Sequence, residues 1–154
     1  NPYSIPPTDF MIGNKPVSRK ISEIGKIAKT GLIPITYGDA LWYGNGKSLI
    51  LSGDKIMTML AGTIRPRISI FVLNEDGIYS DLKSKKLIYK MKDQKPLISD
   101  IKMDVTGGMT RKFEEAVKIS KMGLDVFFVN GNKPQRIFDA IKRKKFEGTL
   151  FRSK

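Results

Sequence analysis

The chain has 154 residues, 40% of them hydrophobic and 28% charged, enough for one ordinary domain with a core of its own. It has no Cys and no His, which excludes disulfides, Cys- or His-ligated metals, thiol nucleophiles and imidazole bases. Its 28 Lys+Arg against 15 Asp+Glu leave a formal net charge of +13, and no apolar run approaches the ~20 residues of a membrane helix.

The first residue is Asn1, with no signal-peptide pattern after it, so the sequence is expected to be a processed product or a piece of a longer chain. Residues 1–16 hold Pro2, Pro6, Pro7 and Pro16 and read as an extended segment. A helix is predicted from Ser18, with Ile21, Ile24, Ile27 and Ala28 on one face and Gly31 as its stop. Leu32 to Tyr37 reads as a strand. Gly38-Asp39 opens a loop that runs through Gly44-Asn45-Gly46 to a short strand, Ser48 to Leu51. Trp42 and Tyr43, beside that loop, read as its hydrophobic anchor. Ser52-Gly53-Asp54 leads into a helix with Ile56, Met57, Leu60, Ala61 and Ile64 inward. Ile68 to Leu73 is a nearly continuous apolar strand, of the kind covered on both faces. A turn follows at Asn74-Glu75-Asp76-Gly77, and residues 80–103 are polar, with a short strand at Leu87–Tyr89. After Asp104-Val105-Thr106-Gly107-Gly108 comes a helix with Met109, Phe113, Ala116, Val117 and Ser120 on one face, stopped by Gly123. Leu124 to Val129 is a second buried strand, Asn130-Gly131-Asn132 a turn, Pro134 the first residue of a helix, and Gly148 to Phe151 a last strand.

Strands alternating with helices predict an α/β fold with a mostly parallel sheet sandwiched by helices. In such sheets ligands bind beyond the C-terminal strand ends. Three Gly-containing loops fall there and are expected to line one crevice: 52–54, 74–79 and 104–112. In the last, Gly107 and Gly108 admit close backbone approach ahead of a helix N-terminus, and Lys112 stands one turn in. The same residues also read as an ordinary turn and a solvated lysine. Asp54 reads as an N-cap, and also as a carboxylate that holds lysines, or a metal ion accompanying phosphates. Asp76-Gly77 with Tyr79 reads as a turn beside a surface aromatic, or as a loop holding adenine or ribose. Tyr37-Gly38-Asp39 is a fourth candidate. The basic runs Lys83-Ser84-Lys85-Lys86 and Lys142-Arg143-Lys144-Lys145, the second placed on a helix, lack interleaved aromatics and read as solvated faces.

In order along residues 30–150, the stretches Gly31-Leu32-Ile33-Pro34-Ile35-Thr36-Tyr37-Gly38-Asp39, Leu51-Ser52-Gly53-Asp54-Lys55-Ile56, Asp76-Gly77-Ile78-Tyr79, Asp104-Val105-Thr106-Gly107-Gly108-Met109 with Lys112, and Val129-Asn130-Gly131 resemble the amino acid kinase superfamily. Within it they resemble most the isopentenyl phosphate kinases. The resemblance implies transfer of the γ-phosphoryl of ATP, with Mg2+, to a small phosphate-bearing molecule, isopentenyl phosphate, giving isopentenyl diphosphate. It implies Asp54 and Lys112 as catalytic residues. It implies Asn74, Asp76, Gly77, Tyr79, Gly107, Gly108 and Lys112 as ATP-binding, and Gly53 and Asp54 at the acceptor, with no metal held by a protein cluster. Where the family loop begins Thr-Asp, this chain has Leu73-Asn74. The family's opening Gly-rich lysine strand and its His-bearing loop have no counterpart here.

Residues 1–30 are therefore expected to be the remnant of an acceptor-binding half, and 31–154 a nucleotide-binding α/β domain. The implied whole is a cytoplasmic homodimer that includes a missing N-terminal half, without membrane or nucleic-acid partners. Other acceptors of the superfamily remain open, namely uridine monophosphate, fosfomycin and acetylglutamate-type carboxylates. So does a nucleotide-binding module without catalysis. A basic nucleic-acid binder is a third reading, and it leaves the glycine loops unexplained.

Overall fold

A computed structural model describes residues 1–42, 44–81, 83–84, 86–91, 107–143 and 146–152. Tyr43, Lys85, Asp104, Val105, Thr106, Lys144 and Lys145, singled out above, lie outside the described residues. Two compact units divide the chain, Asn1–Arg65 and Pro66–Lys154. The boundary expected near residue 30 falls inside the first.

In the first unit, β1 (Pro2–Ser4), a short 3-10 turn (Pro7–Asp9) and a small hairpin of β2 (Met11–Ile12) and β3 (Lys15–Pro16) precede α1 (Ser18–Lys29). The helix ends as expected: Thr30 caps it, and Gly31 follows at φ +89, a left-handed conformation suited to glycine. β4 (Ile33–Ile35) then runs parallel to β1, with Pro2 opposite Ile33 and Ser4 opposite Ile35. The stretch expected as a loop after Gly38 instead forms β5 (Asp39–Trp42), antiparallel to β6 (Ser48–Leu51). Gly44, Asn45 and Gly46 all take positive φ and turn the chain back on itself. The alternation of β5 turns Leu41 inward and Trp42 outward, 74% exposed, so Trp42 does not anchor the loop.

α2 (Gly53–Ile64) starts with a correction. Its N-cap is Ser52, whose Oγ accepts the Lys55 backbone N–H at 3.3 Å; Asp54 sits inside the first turn. The serine precedes the helix with extended backbone, the geometry a cap requires, whereas Asp54 is already helical. Ile5, Phe10, Met11, Ile21, Ile24, Leu41, Leu51 and Ile56 form this unit's core.

The second unit holds β7 (Ser69–Leu73), β8 (Tyr79–Asp81), β9 (Lys86–Leu87), β10 (Lys90–Met91), α3 (Gly107–Lys121), β11 (Val126–Asn130), α4 (Pro134–Ile141) and β12 (Thr149–Phe151). The strand expected at Leu87–Tyr89 resolves into β9, paired with β8, and β10. One sheet has the order β10-β12-β11-β7. β7 and β11 are parallel, as are β10 and β12, but β12 runs antiparallel to β11. Every residue of β11 is buried. On one face Phe127 and Val129 pack with Ala140 and Ile137 of α4. On the other the Phe128 ring meets Phe71 at 5.3 Å and Phe151 at 4.9 Å, and Phe151 meets Phe113 of α3 at 5.6 Å. Helices thus cover both faces, which accounts for the unbroken apolar run of β11. α4 opens on Pro134 as expected but ends at Ile141; Lys142 caps it and Arg143 takes φ +54, so the second basic run begins where the helix stops.

Candidate functional site

The parallel pair β7 and β11 ends at Leu73 and Asn130, which lie opposite each other. Gly131 N–H donates to the Leu73 carbonyl at 2.8 Å, joining the two loops that leave these strands. Because β12 is antiparallel, its N-terminal end reaches the same edge and delivers Glu147 there. Since β10 is parallel to β12, Tyr89 arrives as well, its carbonyl accepting Leu150 N–H at 2.9 Å. The result is a cavity of about 470 Å³ lined by Asn74, Glu75, Asp76, Tyr79, Leu87, Tyr89, Asn130, Lys133 and Glu147.

Asp76 organises the wall. Its Oδ1 accepts from Asn130 Nδ2 at 2.7 Å, from Lys133 Nζ at 3.1 Å and from Arg136 Nη1, and its Oδ2 accepts from Lys133 Nζ at 3.2 Å. Arg136 Nη2 pairs in turn with Glu147. Partial burial by itself raises the Asp76 pKa, but the bonds from Asn130, Lys133 and Arg136 and the Arg136 charge outweigh it. The carboxyl falls from 3.8 to about 2 and stays ionised. The loop is braced from below: Ile78 N–H donates to Thr149 Oγ1 at 2.9 Å, and that hydroxyl donates to the Ile88 carbonyl at 2.7 Å. Asp76 N–H reaches Tyr79 Oη at 3.4 Å.

Of the expected nucleotide residues, Asn74, Asp76 and Tyr79 line this one cavity. Gly77 does not; it is buried at φ +147, and a Cβ there would stand 2.7 Å from Thr149 Oγ1 and 2.9 Å from Leu87 Cδ1. Gly107 and Gly108 open α3, with Gly108 exposed and Lys112 half-buried one turn on; among the described residues they are not part of the cavity wall. Gly53 and Asp54 belong to the first unit. There the Tyr37-Gly38-Asp39 loop meets them: a Cβ on Gly38 would lie 2.9 Å from Leu51 O and 3.1 Å from Gly53 N, so only glycine permits this approach. Gly38 is thereby packed against residues 51–53, as the motif order alone does not show.

Sequence reasoning missed Asn130 as a ligand of Asp76, and Lys133, Arg136, Glu147 and Tyr89 altogether. One signal was present: two cations, Lys133 and Arg136, flank Pro134 at the start of a helix, where acidic residues are favoured.

The family model for the amino acid kinase family matches residues 2–130. Isopentenyl phosphate kinase of Thermoplasma acidophilum is 34% identical over 161 residues, which cover 94% of this chain and 65% of that protein. The Methanocaldococcus jannaschii isopentenyl phosphate kinase is 30% identical, with 90% and 53% covered. Among solved structures, the product complex of the T. acidophilum isopentenyl phosphate kinase superposes with a TM-score of 0.72 at 28% identity, covering 98% of this chain and 59% of that one. Giardia carbamate kinase, at 14% identity and a TM-score of 0.68 with 100% of this chain and 63% of that one covered, shares the fold. The chain therefore spans less than two thirds of the length of these relatives. With the family match over most of its length and this α/β architecture, the chain belongs to the amino acid kinase family.

Proposed function

We propose that this chain is the nucleotide-binding part of an ATP-dependent kinase that converts isopentenyl phosphate to isopentenyl diphosphate. The observation that carries the reading is the cavity beyond β7 and β11, where an α/β sheet binds its ligands. Its chemistry suits a nucleoside: two tyrosines offer ring faces, and Asn74, Asp76 and Asn130 offer groups that pair with ribose hydroxyls or base edges. Three carboxylates there, Glu75, Asp76 and Glu147, face two cations, Lys133 and Arg136, so the cavity repels rather than gathers a polyphosphate. The phosphates belong instead at the start of α3, where Gly107 and Gly108 carry no side chain over the positive end of the helix dipole and Lys112 adds charge.

Phosphoryl transfer asks a protein for positioning and positive charge around spreading negative charge. Lys112 supplies that charge, Asp54 orients catalytic lysines, and Gly53 borders the acceptor phosphate. Mg2+ enters this reading as the counter-ion of the triphosphate. Coverage of only 65% and 59% of two relatives' lengths supports a reading in which an acceptor-binding half, with residues 1–30 as its remnant, completes the protein. In the first unit Ile33 and Ile35 on β4, and Trp42 and Ile50 on one face of the β5–β6 hairpin, are exposed, Ile50 by 79%. Exposed large apolar side chains of this kind suit surfaces that further polypeptide covers. Homodimer assembly and a cytoplasmic setting complete the proposal. Among the described residues no helix is long and apolar enough to cross a membrane.

Transfer of radiolabelled phosphate from ATP, by this chain within its full-length protein, tests the assignment against isopentenyl phosphate, uridine monophosphate, fosfomycin and acetylglutamate. Isopentenyl phosphate is the acceptor expected to be labelled, and labelling of another acceptor alone overturns the choice. Lys112→Ala is expected to lower turnover roughly 100-fold or more. Turnover near that of the unsubstituted enzyme assigns Lys112 to the surface.

A further inference from the structure

Arg136 sits in the first turn of α4, the positive end of the helix dipole, with Lys133 immediately before the helix and no side-chain cap at its start. Helix formation gains nothing from either cation there. The Arg136 side chain is nonetheless only 13% exposed, and its two terminal nitrogens reach two carboxylates from different parts of the sheet edge. Nη1 binds Asp76 on the loop after β7, and Nη2 binds Glu147 ahead of β12. Lys133 also binds Asp76 but is 49% exposed, an attachment that solvent weakens. A planar guanidinium makes such a two-ended tie, which a lysine ammonium cannot reproduce with the same geometry.

The load on Asp76 is unequal. Oδ1 takes Asn130, Lys133 and Arg136, while Oδ2 takes Lys133 at 3.2 Å and keeps capacity for a further donor. Asn130 and the little-exposed Arg136 therefore hold one oxygen, and the other has only the exposed Lys133 among its described partners. We infer that Arg136 is a positioning residue of the cavity, tying the Asp76 carboxylate to α4 and, through the same guanidinium, to Glu147, so that Oδ2 is presented to a ligand hydroxyl. The ligand part of this inference rests on the nucleotide reading above; the positioning part does not.

The test uses the whole chain and two variants, Arg136→Met and Arg136→Lys. Carbon-13 NMR of the Asp76 carboxyl reads its titration, and calorimetry reads ATP and adenosine binding from pH 7 down to pH 3.5. In Arg136→Met the Asp76 midpoint is expected to move up toward the ordinary carboxylate range. ATP and adenosine should bind about tenfold more weakly at pH 7, the loss of one charge-assisted contact's worth of order, and weaken further below pH 4. Arg136→Lys keeps the charge and should restore the low midpoint in part, with binding between the two; it also serves if Arg136→Met does not fold. An arginine that does not hold the Asp76 carboxylate would alter stability and leave the carboxyl midpoint of the folded protein in place. An unmoved midpoint in both variants overturns the positioning role. A moved midpoint with unchanged ATP and adenosine affinity overturns the link to the ligand. A moved midpoint in a chain whose unsubstituted form binds neither ATP nor adenosine supports the positioning role and overturns the nucleotide reading instead.

Discussion

Asp76 and Gly77 are neighbours with opposite duties. The carboxylate faces the cavity under three donors, and the glycine faces inward, where it admits Thr149. The folded carboxyl titrates near 2 against 3.8, so its contribution is complete above about pH 4 and disappears as pH falls through about 2. At roughly 1.4 kcal/mol per pKa unit, that contribution is about 2 kcal/mol. Urea unfolding should show Asp76→Asn less stable than the unsubstituted chain at pH 7, with the gap closing between pH 4 and pH 2; a constant gap would mean the bonds do not depend on the charge. Gly77→Ala places a methyl against Thr149 Oγ1 in a conformation that L side chains rarely adopt. The expected cost is about 1–3 kcal/mol by thermal or urea denaturation, and no cost would place the turn elsewhere. The sequence pair Asp-Gly announces a turn, which is right. It is silent on Asn130, Lys133 and Arg136, which lie 54, 57 and 60 residues away. Such contacts depend on strand order, which no local pattern encodes.

At the scale of elements, α1, α2, β6, β7, β11, α3 and α4 were legible, because period, glycine stops and Pro134 each have a local physical cause. β5 was not, since Asp39-Ala40-Leu41-Trp42 has a single inward residue, Leu41, and reads as loop until its hairpin partner is known. Nor was the reversed direction of β12, although that reversal brings Glu147 to the edge where β7 and β11 end. The start of α2 shows how a nearby residue can mislead. Asp54 and Ser52 are both good capping types, and the serine is the one with extended backbone. Ser52→Ala should therefore cost about 1 kcal/mol in chemical denaturation, while Asp54→Asn leaves that cap bond intact. In the full-length protein the order reverses for turnover: Asp54→Asn should lower it roughly 100-fold and Ser52→Ala only slightly. Equal stability losses in the two variants would return the cap to Asp54, and full activity of Asp54→Asn would remove it from catalysis.

For the molecule as a whole, the excess of positive charge does not by itself name a partner. The basic runs carry no interleaved aromatics, and the cavity lined by Tyr79 and Tyr89 carries more carboxylates than cations. Charge spread over the surface in this way raises the local concentration of anions without choosing among them. On the proposed reading, selection comes from the cavity and the α3 start, and transfer needs Lys112 there together with Asp54 and an acceptor-binding part. The chain spans 65% of its Thermoplasma relative, and Gly53, Asp54 and the exposed apolar residues Ile33, Ile35, Trp42 and Ile50 share the first unit. The expectation is separable function: the chain alone binds ATP with Mg2+ but transfers no phosphate. Fusing the N-terminal third of the Thermoplasma enzyme ahead of Asn1 should bring transfer to isopentenyl phosphate, read with radiolabelled ATP. Ile50→Lys in that fusion should weaken the transfer while calorimetry finds ATP affinity unchanged, because the substitution burdens a covered apolar face and not the nucleotide cavity. Transfer by the unfused chain would place the acceptor machinery within these 154 residues. A fusion in which Ile50→Lys is fully active would show that this face stays open in the working enzyme.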